Sequence, residues 1–346
     1  MYSNKINLLQ LVKNLEVGGI EKSTILYSNL LCDKLNFVGI MASMGFYDNY
    51  YFIYEKTKRF YPLFQFTGKI HFLKNLFYLL NVIKKNQITH IHYHHRIFLP
   101  FVYLIKLKNP NIKIIYTHHS CFNDYINNFI YADKIIAING ATKNDLPKRF
   151  QNKTIIIPHG IRINEKHIDV KKDSIQNIGY VGRFVESKNL IYLINEFKIV
   201  NNDIPNTQLI LVGDGPIKDD LITLVDKLGL IKNVIFKNPL NSEDDIYNNI
   251  DILVLPSTKL EGFGIVLLEA MSRGIPVVVN RLESFKDLVI DKFNGLVFES
   301  NLADKLLTLF YDRTLFKKLS KNGIFSVNGK YNIERIIKEY SVKIYF

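Results

Sequence analysis

Short β-branched runs alternate with longer amphipathic runs along the whole chain, and this alternation constrains the fold more than any other feature. In the first half, strands are expected at Ile6–Val12, Phe37–Ala42, Ile88–His92, Ile112–Thr117, Lys134–Ile138 and Thr154–Ile157. Helices are expected between them at Glu21–Leu35, Phe72–Lys85, Phe98–Lys108 and Ala141–Phe150. The second half repeats the scheme, with strands at Gln176–Val181, Gln208–Val212, Val234–Lys237, Ile252–Leu255 and Pro276–Val279. Its helices are expected at Asn189–Val200, Ile217–Leu228, Gly264–Arg273 and Leu302–Leu309. Such alternation calls for parallel sheets with helices on both faces. Met44–Phe66 is aromatic, irregular and charged, and reads as strands and loops.

A chain of 346 residues has room for two such units, at roughly 150 residues per domain. The polar segment His159–Ser174, with its basic pair Lys171 and Lys172, is the expected linker. It divides the chain into residues 1–168 and 169–330, with 331–346 following. With 24 Phe and 20 Tyr the chain is no disordered polymer. Cys32 and Cys121 are its only cysteines, so a disulfide framework and a Cys-based zinc site are excluded. A reducing compartment fits this usage, and the expected location is the cytoplasm, or peripherally the inner face of the plasma membrane. Met1–Asn14 lacks a small-residue cleavage site and reads as a first strand rather than a leader. The net charge of +13 favours an anionic partner: nucleic acid, acidic lipid or a phosphate-bearing small molecule.

Four motifs carry chemistry. The first is Glu261-Gly-Phe-Gly-Ile-Val-Leu-Leu-Glu269, after Pro256-Ser257 and before Gly274-Ile-Pro276. Its glycines let the backbone turn and approach a ligand, and a helix starting near Gly264 directs N–H groups and a positive dipole end at it. That suits a diphosphate, with Glu261 and Glu269 accepting from sugar hydroxyls on either side. The bland alternative is a buried turn with two capping or exposed glutamates; the surrounding residues favour the site. The second is Gly182-Arg183 with Lys188-Asn189, which holds two cations at the carboxyl end of a strand, where they neutralise a diphosphate leaving group. Alone, these would read as solvated loop residues. The third, Val17-Gly18-Gly19-Ile20-Glu21-Lys22, is a turn at a helix start; it is either a plain tight turn or a phosphate or acceptor contact, and its spacing is wrong for a nicotinamide site. The fourth is His90-Ile-His92-Tyr-His94-His95 together with His118-His119. Adjacent residues on a strand face opposite ways, which disfavours a shared metal ion. One histidine facing a cleft is the functional reading, and most of the six are expected as polar edge and loop residues.

Taken together these motifs resemble family 4 of the retaining glycosyltransferases, of GT-B fold. The matching pieces are Gly18-Gly19-Ile-Glu21, Thr117–Ser120, Ala132–Ala137, Ile157–Gly160, Val181–Arg183 with Lys188-Asn189, Leu211–Pro216 and Glu261–Val279. The resemblance implies two Rossmann-like domains facing a central cleft, with the last helix crossing back onto the first. It implies that Arg183 and Lys188 hold the donor diphosphate, that Glu261 touches the donor sugar, and that Glu269 meets the ribose. It gives the phosphates to the backbone around Phe263, Gly264 and Ile265, and includes Gly18 and Gly19 in the donor site. His119 is implied beside the reacting sugar, with His118 as fallback. No metal is implied, the nucleotide sugar being substrate rather than cofactor, and the acceptor is a glycan or lipid-linked. Against the family pattern, His159 replaces an Asn before Gly160, Asn139 a Ser, and Asp287 a Glu; Arg281–Ser284 lacks a Gly-Gly.

Phe72–Lys85 mixes Phe and Leu with Lys74, Lys84 and Lys85, and suits either an anionic membrane surface or a core helix with a basic outer face. Phe98–Lys108 reads as core. The rival functions are a nucleotide-sugar epimerase of the same fold and a basic nucleic-acid-binding protein; the dispersed lysines and absence of a binding motif argue against nucleic acid as a partner.

Overall fold

The computed structural model describes residues 6–13, 19–42, 57–60, 69–121, 124–163, 175–238, 243–259 and 261–345. The chain forms two compact units, one of Met1–Gly160 with Glu334–Phe346 and one of Ile161–Ile333. Most of the expected linker, residues 164–174, lies outside the described residues, as does most of Met44–Phe66.

The first unit runs β1 (Asn7–Val12), α1 (Gly19–Leu31), β2 (Phe37–Ala42), β3 (Lys58–Phe60), α2 (Lys69–Lys85) and β4 (His90–Tyr93). It continues through α3 (Leu99–Lys108), β5 (Lys113–His118), β6 (Lys134–Ala137), α4 (Gly140–Asp145), α5 (Lys148–Gln151) and β7 (Thr154–Ile156). Among the described residues these strands form one sheet in the order β3-β2-β1-β4-β5-β6-β7, and every pairing is parallel. β1 is buried along its whole length, as a strand covered on both faces must be. α2 turns Leu76, Leu79, Val82 and Ile83 into the core, spaced three and four apart on one face. Each such side chain contributes about 1.5–3 kcal/mol by leaving water. The helix expected over Ala141–Phe150 is broken in two. Asn139 starts α4 with a capping box, its Oδ1 accepting from Thr142 N at 2.8 Å. Pro147 ends it by forcing Leu146 to an extended ψ of 146°.

The second unit comprises β8 (Asn177–Val181), α6 (Leu190–Asp203), β9 (Gln208–Val212), α7 (Lys218–Lys227), β10 (Val234–Lys237) and α8 (Glu243–Tyr247). It then adds β11 (Ile252–Leu255), α9 (Ile265–Ser272), β12 (Val277–Asn280), β13 (Leu296–Phe298), α10 (Leu302–Tyr311) and α11 (Arg313–Lys330). Its sheet is also parallel throughout, in the order β10-β9-β8-β11-β12-β13. β13 and α11 were not expected. α11 carries Gly323 in its middle, a poor helix former, yet that glycine brings the helix backbone close to α9: a Cβ there would lie 3.4 Å from Met271 Cβ.

After α11 the chain enters α12 (Ile333–Tyr340) and a π-helical turn, Ser341–Tyr345. From Glu334 onward these residues pack with the first unit. Lys134 Nζ donates to the carbonyls of Lys343 (2.8 Å) and Ile344 (2.9 Å), placing a cation on the negative end of the last turn. No helix among the described residues is long and apolar enough to cross a membrane.

Candidate functional site

In each sheet the strand order turns back once, and ligands of open α/β sheets bind outside the carboxyl ends of the strands at that point. In the second unit those strands are β8 and β11, paired through Ile178–Ile252 and Gly179–Leu253. β8 leads into Gly182-Arg183, and β11 into Pro256-Ser257. The loops after β8 and β9 touch backbone to backbone: Gly182 N donates to Val212 O at 3.0 Å, and Phe184 N to Asp214 O at 2.8 Å. Gly213 makes this approach possible, because a Cβ on it would sit 1.9 Å from Gly182 O. Arg183 is exposed on the loop so fixed.

Lys188 ends a short 3-10 turn, after which Asn189 adopts left-handed dihedrals (φ 57°, ψ 40°) and α6 begins. Thr258 N donates to Ser187 O at 3.0 Å, tying the β11 loop to this turn. The tie sets Lys188 against Glu261, with Nζ bonded to Oε2. Ser257 Oγ donates to the same oxygen at 2.9 Å, and Asn280 Nδ2 holds Ser257 O at 3.1 Å. The Lys188 and Glu261 side chains are only 17 % and 12 % exposed. Removing one of a pair withdrawn from water strands the other charge, at a cost of about 3–5 kcal/mol for a fully buried pair.

Gly264 precedes α9 in the left-handed region (φ 81°, ψ 57°), where a side chain would be strained. Phe263 is buried beneath the turn against Tyr331, with ring centroids 6.0 Å apart. The N–H groups of α9 from Ile265 onward open the helix and carry its positive end. Glu269, within α9, is buried and accepts from Tyr247 Oη at 2.7 Å. The Arg273 guanidinium lies over the Tyr247 ring at 5.0 Å. Lys188 and Glu261 thus meet outside the carboxyl ends of β8 and β11, with Arg183 on the loop after β8, the start of α9 at Ile265, and Glu269 further along α9; cations, a helix start and carboxylates so disposed can bind a diphosphate flanked by hydroxyl-bearing groups.

In the first unit the corresponding strands are β1 and β4. Gly18 lies outside the described residues, and Gly19 is the exposed first residue of α1. The histidines correct the expectation of edge and loop residues. His92, His94, His118 and His119 are all buried, because they bond to one another and to neighbouring side chains instead of water. His118 and His119 separate as alternation requires. His118 places Nε2 2.7 Å from Asp145 Oδ2 and Nδ1 3.0 Å from Tyr116 Oη. His119 joins the other cluster, its Nε2 2.9 Å from His94 Nδ1. His94 Nε2 lies 2.7 Å from Gln10 Oε1, while His92 bonds Thr117 Oγ1 (2.7 Å) and Tyr345 Oη (2.9 Å). His159, the departure from the family's Asn, stacks on His119 at 5.4 Å and 9°.

Burial keeps His92, His94, His119 and His159 neutral. It lowers His159 to about 4 and, with the field of His119 as second cause, His92 to about 3. It holds His94 and His119 well below the ordinary value, neighbouring imidazoles adding to the effect. No group of three or more His, Cys, Asp or Glu among the described residues is placed to hold a metal ion. His119 Nδ1 is buried without a hydrogen-bond partner among the described residues. Such a group costs about 1–3 kcal/mol.

Several residues that shape these clusters were not singled out in the sequence: Gln10, Ser28 and Tyr345 in the first unit, Tyr247 and Asn280 in the second. Gln10 alone had a signal, as the one polar residue inside the apolar run Leu8–Val12. The others reach their partners through tertiary packing.

Two family descriptions match the chain: Glycosyltransferase Family 4 over residues 17–165 and Glycosyl transferases group 1 over residues 162–324. The capsular polysaccharide biosynthesis glycosyltransferase CapM of Staphylococcus aureus is 30 % identical over 184 residues, 51 % of this chain and 48 % of CapM. A UDP-Gal:α-D-GlcNAc-diphosphoundecaprenol α-1,3-galactosyltransferase of Escherichia coli is 28 % identical over 199 residues, 52 % of this chain and 51 % of that protein. The chain thus spans about half the length of these curated relatives. A crystal structure of Anabaena HepE in complex with UDP-glucose superposes with a TM-score of 0.82 at 17 % identity, covering 98 % of this chain and 99 % of that one. At that identity the likeness speaks for the fold alone.

Proposed function

The chain belongs to glycosyltransferase family 4 and has the GT-B fold, and from that premise we propose that it moves a sugar from a nucleotide-sugar donor to a glycan or lipid-linked acceptor. The reaction breaks the bond between the anomeric carbon and a diphosphate oxygen, and the acceptor hydroxyl oxygen takes that place with retention of configuration, its proton passing to the departing diphosphate. Retention rests on the family resemblance. The product is a growing bacterial surface polysaccharide, made in the cytoplasm at the inner face of the plasma membrane. CapM and the E. coli enzyme that acts on a diphosphoundecaprenol acceptor support this reading of the pathway.

One observation carries the proposal: Lys188 and Glu261 are clamped together outside β8 and β11, beside the start of α9. In the proposed complex Lys188 and Arg183 neutralise the leaving diphosphate together with the backbone N–H groups around Phe263, Gly264 and Ile265. Glu261 then accepts from donor-sugar hydroxyls, and Glu269, steadied by Tyr247, from the ribose. The two cations and the helix start supply the charge that a metal would otherwise bring. His119 meets the transferred sugar.

An anionic membrane surface is the second proposed partner. α2 exposes Leu73 and Phe77 beside Lys74, Lys84 and Lys85. α3, packed on it through Phe72 and Phe101 at 4.4 Å, exposes Tyr103 and Leu107. An apolar band edged with lysines suits a lipid interface that presents the acceptor.

The test is a thermal-shift screen of UDP-glucose, UDP-galactose and UDP-N-acetylglucosamine, alongside the corresponding GDP, dTDP and CMP sugars, followed by transfer assays and NMR of the product anomer. A donor at 100 times its Kd should add about 2.7 kcal/mol of stability. Glu261→Gln, which keeps the side-chain shape, should lower transfer by about a hundredfold or more. Conversion of the nucleotide sugar without any acceptor, an inverted product, or full activity of Glu261→Gln would overturn the proposal.

A further inference from the structure

The buried polar groups of the first unit form a chain of hydrogen bonds with a single direction. Ser28 Oγ donates to the carbonyl of Thr24, one turn back in α1, at 2.8 Å. Having given its hydrogen there, Ser28 accepts from Gln10 Nε2 at 3.0 Å. The Gln10 amide is thereby oriented with Oε1 toward His94 Nε2, 2.7 Å away. An amide oxygen only accepts, so His94 carries its hydrogen on Nε2. A neutral imidazole has one N–H, which leaves His94 Nδ1 as an acceptor. Its partner at 2.9 Å, His119 Nε2, must therefore be the donor. The remaining nitrogen of His119, Nδ1, is then a bare lone pair, and it is the one without a partner among the described residues. The oppositely directed chain would take the Ser28 hydrogen away from Thr24 O, and so has one bond fewer.

We propose that Gln10 and His94 are positioning residues that lock His119 in its Nε2–H tautomer, so that Nδ1 accepts a hydrogen from a hydroxyl of the transferred sugar. The proposal rests on the reading above that His119 meets that sugar. The contact atom must bring the hydrogen, as a hydroxyl does; a carboxylate at the same place would face a lone pair. Burial, which keeps both imidazoles neutral, preserves the direction of the chain.

The experiment is imidazole 15N NMR of the full chain labelled on histidine, His119 being assigned by its loss in His119→Gln. In the wild type, His119 should show a protonated Nε2 and an unprotonated Nδ1. Gln10→Glu puts a carboxylate against His94, which then holds hydrogens on both nitrogens and donates from Nδ1; the His119 hydrogen should move to Nδ1. Ser28→Ala, a mild change on a helix, frees the Gln10 amide to turn and should yield a mixture of the two tautomers if Gln10→Glu does not fold. For whichever nucleotide sugar of the screen is turned over, kcat/KM should fall about tenfold in Gln10→Glu, the loss of roughly one hydrogen bond. Affinity for the free nucleotide should stay within about twofold, a pattern that a global loss of structure would not give. A wild-type His119 protonated on Nδ1, or a tautomer unmoved in both variants, would overturn the inference while leaving the glycosyltransferase reading intact. The expected tautomers with no nucleotide sugar bound or turned over would sink that reading and leave the chain of bonds standing.

Discussion

Acidification charges histidines in the unfolded chain that the folded first unit keeps neutral. An ordinary histidine titrates near 6.5, whereas His159 is lowered to about 4 and His92 to about 3. Below about pH 6.5 the unfolded chain therefore binds more protons than the folded one. Stability is complete above that pH and is lost as the pH falls toward the folded values. At roughly 1.4 kcal/mol per pH unit, each of the two groups costs about 2 kcal/mol at about pH 5. Together they remove about 4 kcal/mol, a large share of a typical 5–15 kcal/mol domain stability. His94 and His119 act in the same direction. Urea unfolding at about pH 7.5 and about pH 5, with amide hydrogen exchange of β4 and β5 to assign the loss, measures the effect. His159→Asn removes one titrating group and should recover about 2 kcal/mol of the acid-induced loss. A first unit equally stable at both pH values, or no recovery in the variant, would refute a neutral buried cluster.

Other outcomes follow from contacts in the second unit and from the outer face of α2. Gly213→Ala must fit a Cβ 1.9 Å from Gly182 O at a φ of +150°, and a drop of about 3 kcal/mol or more in urea unfolding is expected. Tyr247→Phe removes the donor that steadies Glu269; donor affinity measured by calorimetry should fall about fivefold, one neutral–charged hydrogen bond acting at second hand, with the fold retained. Replacing both Leu73 and Phe77 by Ser should leave unfolding within about 0.5 kcal/mol of wild type but weaken co-sedimentation with vesicles containing phosphatidylglycerol. Unchanged vesicle binding would remove α2 from the proposed membrane contact.

Much of the architecture is legible in the sequence because apolar runs in a parallel sheet are short and bounded. Phe37–Ala42, Gln208–Val212, Val234–Lys237 and Ile252–Leu255 appear at the expected residues. β13 carries little signal because Leu296–Phe298 is only three residues long, and α11 because Gly323 and Ser326 weaken its periodicity. The helix over Ala141–Phe150 failed at Pro147, where a local backbone rule outweighed the apolar spacing.

The division is clearest at the two polar clusters. Sequence alone determined that glycines, cations and glutamates fall at strand ends and helix starts, because backbone conformation and helix polarity are local properties. It could also state that His118 and His119 must face different ways. Only the tertiary structure decided what they meet. Lys188 and Glu261 are 73 residues apart and pair because β8 and β11 are neighbours in the sheet. His119 acquires its bare Nδ1 from Gln10 and Ser28, residues more than 90 positions away in sequence. Protonation and pairing are set by burial and by the bonds that burial makes obligatory, and both depend on which strands become neighbours.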